Sequence, residues 1–323
     1  MTATLTRDNW YGSPAWRLED DALRIIVVPE AGGKIVSLLD RRAGYEWLIQ
    51  PAHANPFRLL PPGTVYNDEQ VGGWDEMLPT ILAGPYPEPG PYEGVALPDH
   101  GELWTMVWED VGTGEGAIRL TAEGVALPYR LERTLTLVAA ASGTALRFDY
   151  ALRNTGATPF SYLWAAHPQF ACEPGARIVL PPAVAEVINV VPESWGPEWG
   201  GPGTRNPWPE KTGAGRQDLI RDTTRKIGRK FYLPPAAPIA WAGLEQPSAG
   251  CTLRLTWDAA LLPYCGVWID EGYLNKIPAV AIEPTNGYYD DLGVAYRNDR
   301  VARLGAGEVA RWWMEVEVGQ HIA

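Results

Sequence analysis

Leu146-Arg147-Phe148-Asp149-Tyr150-Ala151-Leu152-Arg153 puts Leu146, Phe148, Tyr150 and Leu152 on one side of an extended chain. Arg147, Asp149 and Arg153 take the other side, the period-2 pattern of a half-buried strand. The stretch before it repeats the pattern, with Tyr129, Leu131, Leu135 and Leu137 set against Arg130, Glu132, Thr134 and Thr136. Ala139-Ala140-Ala141-Ser142-Gly143 reads as the turn of a hairpin, and Asn154-Thr155-Gly156 as the end of its second strand.

Outward from this hairpin, similar short runs occur at residues 23–28, 34–39, 118–122, 160–166, 251–257, 266–269, 279–283 and 311–318, punctuated by glycines, prolines and Asn/Asp pairs. No window carries a sustained i, i+3, i+4, i+7 apolar stripe with an N-cap and a glycine stop, so helices are expected only as short connectors. Many short antiparallel strands divided by turns predict an all-β sandwich or barrel. The chain has 323 residues, 46% of them hydrophobic, enough for one large core. With no internal repeat or linker, residues 1–323 read as a single domain, because large β-sandwiches exceed the usual domain length.

Two stretches are not strand-like: residues 51–98, with Gly72-Gly73-Trp74-Asp75-Glu76 at the centre, and residues 192–215, with Trp195, Trp199 and Trp208. Loops this long in a compact domain usually form walls or lids of sites, and a solvated linker has no use for tryptophan.

The net charge is −12 and no Lys/Arg run interrupts the acidity. Nucleic acid and anionic membrane surfaces both call for a basic patch, so neither is expected as a partner. Residues 1–10 show no secretory signal, and no uncharged apolar stretch reaches the roughly 20 residues needed to cross a bilayer. Cys172, Cys251 and Cys265 are an odd number at unhelpful spacings. They read as buried thiols of a reducing compartment, which predicts a cytoplasmic protein. Fifteen Trp and fourteen Tyr stand against five Phe. Aromatics with a polar handle suit a surface that meets a hydroxyl-rich ligand such as a sugar, although β-proteins also favour them for packing.

Of the four histidines, His321 lies near the C-terminus and His53 has no companion motif. His100 follows the long loop, in Leu97-Pro98-Asp99-His100-Gly101-Glu102. His167 closes a strand-like run before Pro168, which fixes an extended backbone and ends strand pairing. Glu283 closes the apolar run Ala279-Val280-Ala281-Ile282 and precedes Pro284. A carboxylate so placed is partly buried, which raises its pKa towards the range useful to a general base. Each has an ordinary reading as well, the histidines as hydrogen-bonded core or surface residues and Glu283 as a turn cap.

In their order and spacing, Asp99-His100-Gly101, Ala166-His167-Pro168 and Ile282-Glu283-Pro284 resemble the galactose mutarotase (aldose 1-epimerase) family. Val28-Pro29-Glu30-Ala31-Gly32-Gly33-Lys34-Ile35-Val36-Ser37-Leu38 resembles that family's opening strand pair, and residues 127–154 its central hairpin, so the similarity spans roughly residues 20–318. The resemblance implies an antiparallel supersandwich with a sugar in a cleft across one sheet. It further implies an epimerase that interconverts α and β anomers by opening and closing the ring. Glu283 matches the base, His167 the acid, and His100 a second histidine that hydrogen-bonds the sugar. No cofactor or metal is implied.

The family's sugar-binding Asn-Arg pair is matched only loosely by Phe57-Arg58 and Tyr66-Asn67, and Asn67 takes no role from it. Arg58, Trp74, Asp75 and Glu76 are candidate cleft residues. Glu102, directly after His100-Gly101, departs from the usual motif and is a candidate reader of a different hydroxyl pattern. With no basic cluster for a phosphate, a neutral sugar is the expected ligand. Three other readings compete: a His/His/Glu zinc site, a polysaccharide lyase or hydrolase using Glu283 with Asp75 or Glu76, and a sugar-binding module without turnover.

Overall fold

A computed structural model describes residues 3–51, 56–68, 71–141, 143–213, 215–236 and 239–320. His53 and His321 lie outside the described residues. Among the described residues the strands form a 13-stranded and an 8-stranded sheet with three small two-stranded ones, all paired antiparallel within the two large sheets. The only α-helix described, Leu292–Arg297, has six residues, capped by the Asp291 carboxylate on the Val294 amide. The fold is the expected antiparallel supersandwich. No described helix is long and apolar enough to cross a membrane.

The central hairpin is longer than its composition suggests. Its strands run Tyr129–Ala140 and Gly143–Asn154, with Ala140 opposite Gly143, so Ala139, Ala140 and Gly143 belong to strands. The second strand also pairs with Val309–Gly319. Its apolar side, including Phe148 and Tyr150, meets the larger sheet: Phe148 stacks on Trp74 at 4.7 Å and Tyr150 meets Trp164 at 5.0 Å. One apolar cluster runs from Trp16 to Val318 between the sheets. Most of the tryptophans serve this core, with Trp47, Trp74, Trp108, Trp164 and Trp257 fully buried. Packing, not ligand contact, therefore accounts for most of the aromatic excess.

The alternation of Trp74–Met77 decides which candidate residues can reach a ligand. Trp74 and Glu76 point between the sheets and do not line a cleft. Glu76 accepts from Arg133 at 3.0 Å and from Tyr150 at 2.7 Å, a buried cluster reaching across from the smaller sheet. Asp75, between them in sequence, takes the opposite face.

Candidate active site

The site lies on the outer face of the larger sheet, where the Trp74–Met77, Ala165–Pro168, Ala279–Thr285, Tyr264–Glu271 and Ile227–Tyr232 strands run side by side. Asp75 is paired with His167. The pairs Ala165–Thr285 and Phe170–Val280 bring His167 level with Glu283. Glu283 is opposite Gly266, which is opposite Tyr232. One transverse row thus carries Asp75, His167, Glu283, Gly266 and Tyr232. Residues from distant parts of the chain become neighbours because antiparallel partners share a face. Gly266 keeps the row open: a Cβ there would stand 3.1 Å from Glu283 Oε2 and 3.2 Å from the Tyr232 ring.

His100 reaches the same cleft from the opposite wall. It adopts φ +56°, and Gly101 follows at φ +69°. A side chain at Gly101 would meet the Leu78 carbonyl oxygen at 2.2 Å, so this turn requires glycine. His100 Nδ1 lies 3.1 Å from Asp99 Oδ2, which also accepts the Tyr66 amide at 2.9 Å. The Tyr66 ring stacks on His100 at 4.4 Å and meets His167 edge-on at 4.9 Å. His100, His167 and Glu283 therefore line one cavity of about 200 Å³. That size suits a single small ring more than a drug-sized ligand, for which about 300–1,000 Å³ is usual.

Within the cavity, His167 Nε2 is 4.0 Å from Glu283 Oε1 and 2.9 Å from Gln169 Nε2. Glu283 Oε2 is held by Lys230 Nζ at 2.6 Å. Lys230 also reaches Asp290 Oδ1 at 2.9 Å, which accepts the Tyr232 hydroxyl at 2.6 Å. Burial, reinforced by the nearby Lys230 and Lys34 ammonium groups, holds the His167 imidazole well below its usual pKa, so it is neutral at pH 7. Burial raises Glu283 above the ordinary carboxylate range, and the Lys230 ammonium opposes that rise. Burial alone would depress Lys230, but Asp290 and Glu283 outweigh it and keep the amine protonated.

Asp75 sits at the edge of this floor, engaged by Lys34 Nζ at 2.5 Å and the Tyr66 hydroxyl at 3.0 Å. Arg58 is exposed and is not among the residues lining the cavity, whereas Asn67 is. Glu102 is turned away: its carboxylate accepts the Val125 and Ala126 amides at 3.0 Å each and anchors that loop. Its expected part in reading a sugar is therefore corrected, because those two amides already occupy it.

Sequence reading missed Lys230, Tyr232 and Asp290. Lys230 is the one basic residue of a strand that reads Ile227-Gly228-Arg229-Lys230-Phe231-Tyr232 on the cleft side, so its alternation with Phe231 was the available signal. The loops read as possible walls supply Tyr66, Val71, Leu82, Pro192 and Trp195. No group of three His, Cys, Asp or Glu side chains among the described residues is arranged to hold a metal ion.

The antiparallel sandwich is shared with solved galactose mutarotase-like proteins. The chain has that fold. It superposes over 99% of its length, and 100% of the other chain, on the Slr1438 protein from Synechocystis sp. PCC 6803, with a TM-score of 0.70 at 16% identity. A galactose mutarotase-like protein from Clostridium acetobutylicum matches 99% of both chains at 0.67 and 13% identity. Another from Lactobacillus casei matches 94% of this chain and 99% of its own at 0.63 and 16%. No family model matches the chain, and no curated protein matches it by sequence.

Proposed function

We propose that the protein is an aldose 1-epimerase acting on an uncharged sugar, with Glu283 as base and His167 as the group that serves the ring oxygen. The observation that carries the reading is the 4.0 Å gap between Glu283 Oε1 and His167 Nε2 inside one cavity. O1 and O5 of one hemiacetal, both bonded to C1, can then lie one against each group, as general acid–base catalysis needs. Glu283 Oε2 is occupied by Lys230, so Oε1 is the oxygen that faces substrate.

In the forward step Glu283 Oε1 takes the proton of the anomeric hydroxyl. The O1–H electron pair becomes the C1=O π bond, the C1–O5 bond breaks, and O5 takes a proton from His167. Rotation about C1–C2 presents the other carbonyl face. O5 then attacks C1, its proton returns to His167, and O1 recovers its proton from Glu283. A neutral imidazole with its proton on Nε2 is a competent donor to oxygen as negative charge develops there, which requires the Gln169 amide to present its oxygen to Nε2. His100 binds a sugar hydroxyl from the opposite wall.

Several observations support this reading over its competitors. A hydrolase needs two carboxylates, one of them kept as an acid. Glu76 is turned into the core, while Asp75 and Asp290 are each engaged by a buried ammonium. The same pairings leave no spare cation for a sugar phosphate at Lys34 or Lys230. Cys172, Cys251 and Cys265 are all buried and unpaired, which supports the cytoplasmic assignment.

The direct test follows freshly dissolved α-glucose and α-galactose, among a panel of aldoses, by proton NMR. The β-anomer is expected to grow in faster than the spontaneous rate for at least one sugar, and spontaneous rates throughout would rule the activity out. Lys230→Met supplies a second test. Removing the ammonium takes away the charge that opposes the rise of the Glu283 pKa, so that pKa climbs further. The base must be ionised, so the acid limb of kcat/KM should move to higher pH, lowering the rate at pH 7 more than at pH 9. A uniform loss at every pH would mean that Lys230 does not tune Glu283.

A further inference from the structure

A second cavity, of about 310 Å³, shares no lining residue with the catalytic one. Tyr288 and Tyr289 line it and separate it from Tyr232, whose ring meets theirs at 5.1 and 5.3 Å. Strand register gives its distance from the chemistry. Arg205 pairs with Ile188 and Ile188 with Tyr232, so Arg205 ends the transverse row that holds Glu283. Four strand spacings set the two residues about 19 Å apart, farther than the phosphate of a single sugar ring reaches from its C1.

The lining is basic in a chain whose net charge is −12: it holds Arg205, Arg300 and Asn298 and no acidic residue. Arg300 is fixed through its backbone, its carbonyl accepting the Tyr288 amide at 3.0 Å and its amide donating to the Ala295 carbonyl at 2.9 Å. Its guanidinium lies 5.2 Å from the centre of the Tyr288 ring and meets no carboxylate among the described residues. Arg205 is 60% exposed and paired with Glu186. A surface ion pair of this kind is worth little, so the guanidinium remains open to a second anion. The Tyr288 hydroxyl is buried and makes no hydrogen bond of ordinary geometry among the described residues. Burial and the neighbouring Tyr289 hydroxyl raise its pKa, while the Arg300 and Arg205 charges oppose that rise, so both guanidiniums act on this one oxygen. A buried, unanswered hydroxyl costs stability unless something else uses it.

We infer that this cavity binds a small phosphate monoester, held by Arg205, Arg300 and the Tyr288 hydroxyl, at a site separate from the sugar cleft. The inference does not rest on the epimerase reading. The donors outnumber what the two oxygens of a carboxylate satisfy. A phosphate group offers three oxygens and close to two charges at neutral pH, and it matches the guanidinium fork. The volume exceeds that of a bare phosphate and stands at the small end of ligand pockets, about 300–1,000 Å³, which leaves room for a short organic group. Ile188, Pro235 and the tyrosine rings supply apolar walls for it. A long polyanion is disfavoured by the acidity of the rest of the chain.

The test is titration calorimetry at low ionic strength, with glycerol 3-phosphate as the probe and glycerol and acetate as controls. The ester is expected to bind with a Kd of about 1 mM or below, acetate at least about tenfold more weakly, and glycerol not measurably. Arg300→Met and Arg205→Met should each weaken the ester about tenfold or more, the loss of one charge-assisted contact. Arg205 is exposed, so its variant decides the matter if Arg300→Met does not fold. Tyr288→Phe should weaken binding about threefold and leave the urea midpoint unchanged, since the hydroxyl serves the ligand and not the fold. Glu283→Gln should bind the ester as the unchanged protein does. No binding at about ten times the expected Kd, equal affinity for acetate and the ester, or full affinity in both arginine variants overturns the site. A change of about tenfold in Glu283→Gln, in either direction, puts the phosphate in the sugar cleft and overturns it as well.

Discussion

Glu283→Gln should lose the accelerated anomer interconversion by about 10²–10⁴-fold in kcat, the usual contribution of a positioned base. The substitution keeps the shape of the side chain and leaves an amide oxygen to accept from Lys230, but it cannot take the anomeric proton. Substrate affinity should change far less than turnover, because the proton is transferred only on the way to the transition state. The unsubstituted protein should show a rate that falls with decreasing pH through a pKa above the ordinary glutamate value of about 4.3, since burial raises Glu283. His167→Ala should give a loss of similar kind, and the double variant less than the product of the two, as expected for groups acting as one unit. Stopped polarimetry with circular dichroism of each variant checks both rate and folding. A folded Glu283→Gln variant that retains full rate would remove the carboxylate from the mechanism.

Glu76→Ala should cost about 3–5 kcal/mol of folding stability, because it strands the Arg133 guanidinium in the core. Both side chains are fully buried, and among the described residues the guanidinium's other partners are the Gly33 carbonyl and the Trp108 ring at 4.7 Å. Such a loss is a large part of the roughly 5–15 kcal/mol that holds a typical domain folded. Tyr150 also loses the acceptor of its hydroxyl. Pairing Glu76→Ala with Arg133→Met should recover much of the loss, since the uncompensated charge is then gone. Urea unfolding of the single and double variants measures both quantities. A single-variant loss under about 1 kcal/mol would show that the ion pair is not the tie between the sheets that its burial implies.

These two carboxylates show how far the chain can be read before it folds. Their local contexts differ, Glu283 closing an apolar run and Glu76 a Gly-Gly-Trp-Asp cluster, but neither context says which face the side chain takes. One faces a cleft and the other the core, and the difference is set by strand register. The period-2 runs around Tyr129 and Phe148 determined the antiparallel class, and the Gly, Pro and Asn/Asp punctuation determined where the chain turns. The proline after His167 marked where that imidazole could be held rigidly. Those are local properties of backbone and side chain, so sequence carries them.

Which face each residue takes relative to a neighbouring strand is not local. Gly72-Gly73-Trp74-Asp75-Glu76 reads as one polar loop cluster, yet pairing with Ala165–Pro168 sends Trp74 and Glu76 inward and Asp75 outward. Glu102 lies two residues from His100 but is claimed by the amides of Val125 and Ala126. Lys230 gains its place beside Glu283 only because residues more than fifty positions apart pair across the Tyr264–Glu271 strand. Sequence determined that this protein is built of strands and where its rigid turns fall. Tertiary structure decided which charges meet, because partners in a sheet are chosen by long-range register and a shift of one residue exchanges the two faces.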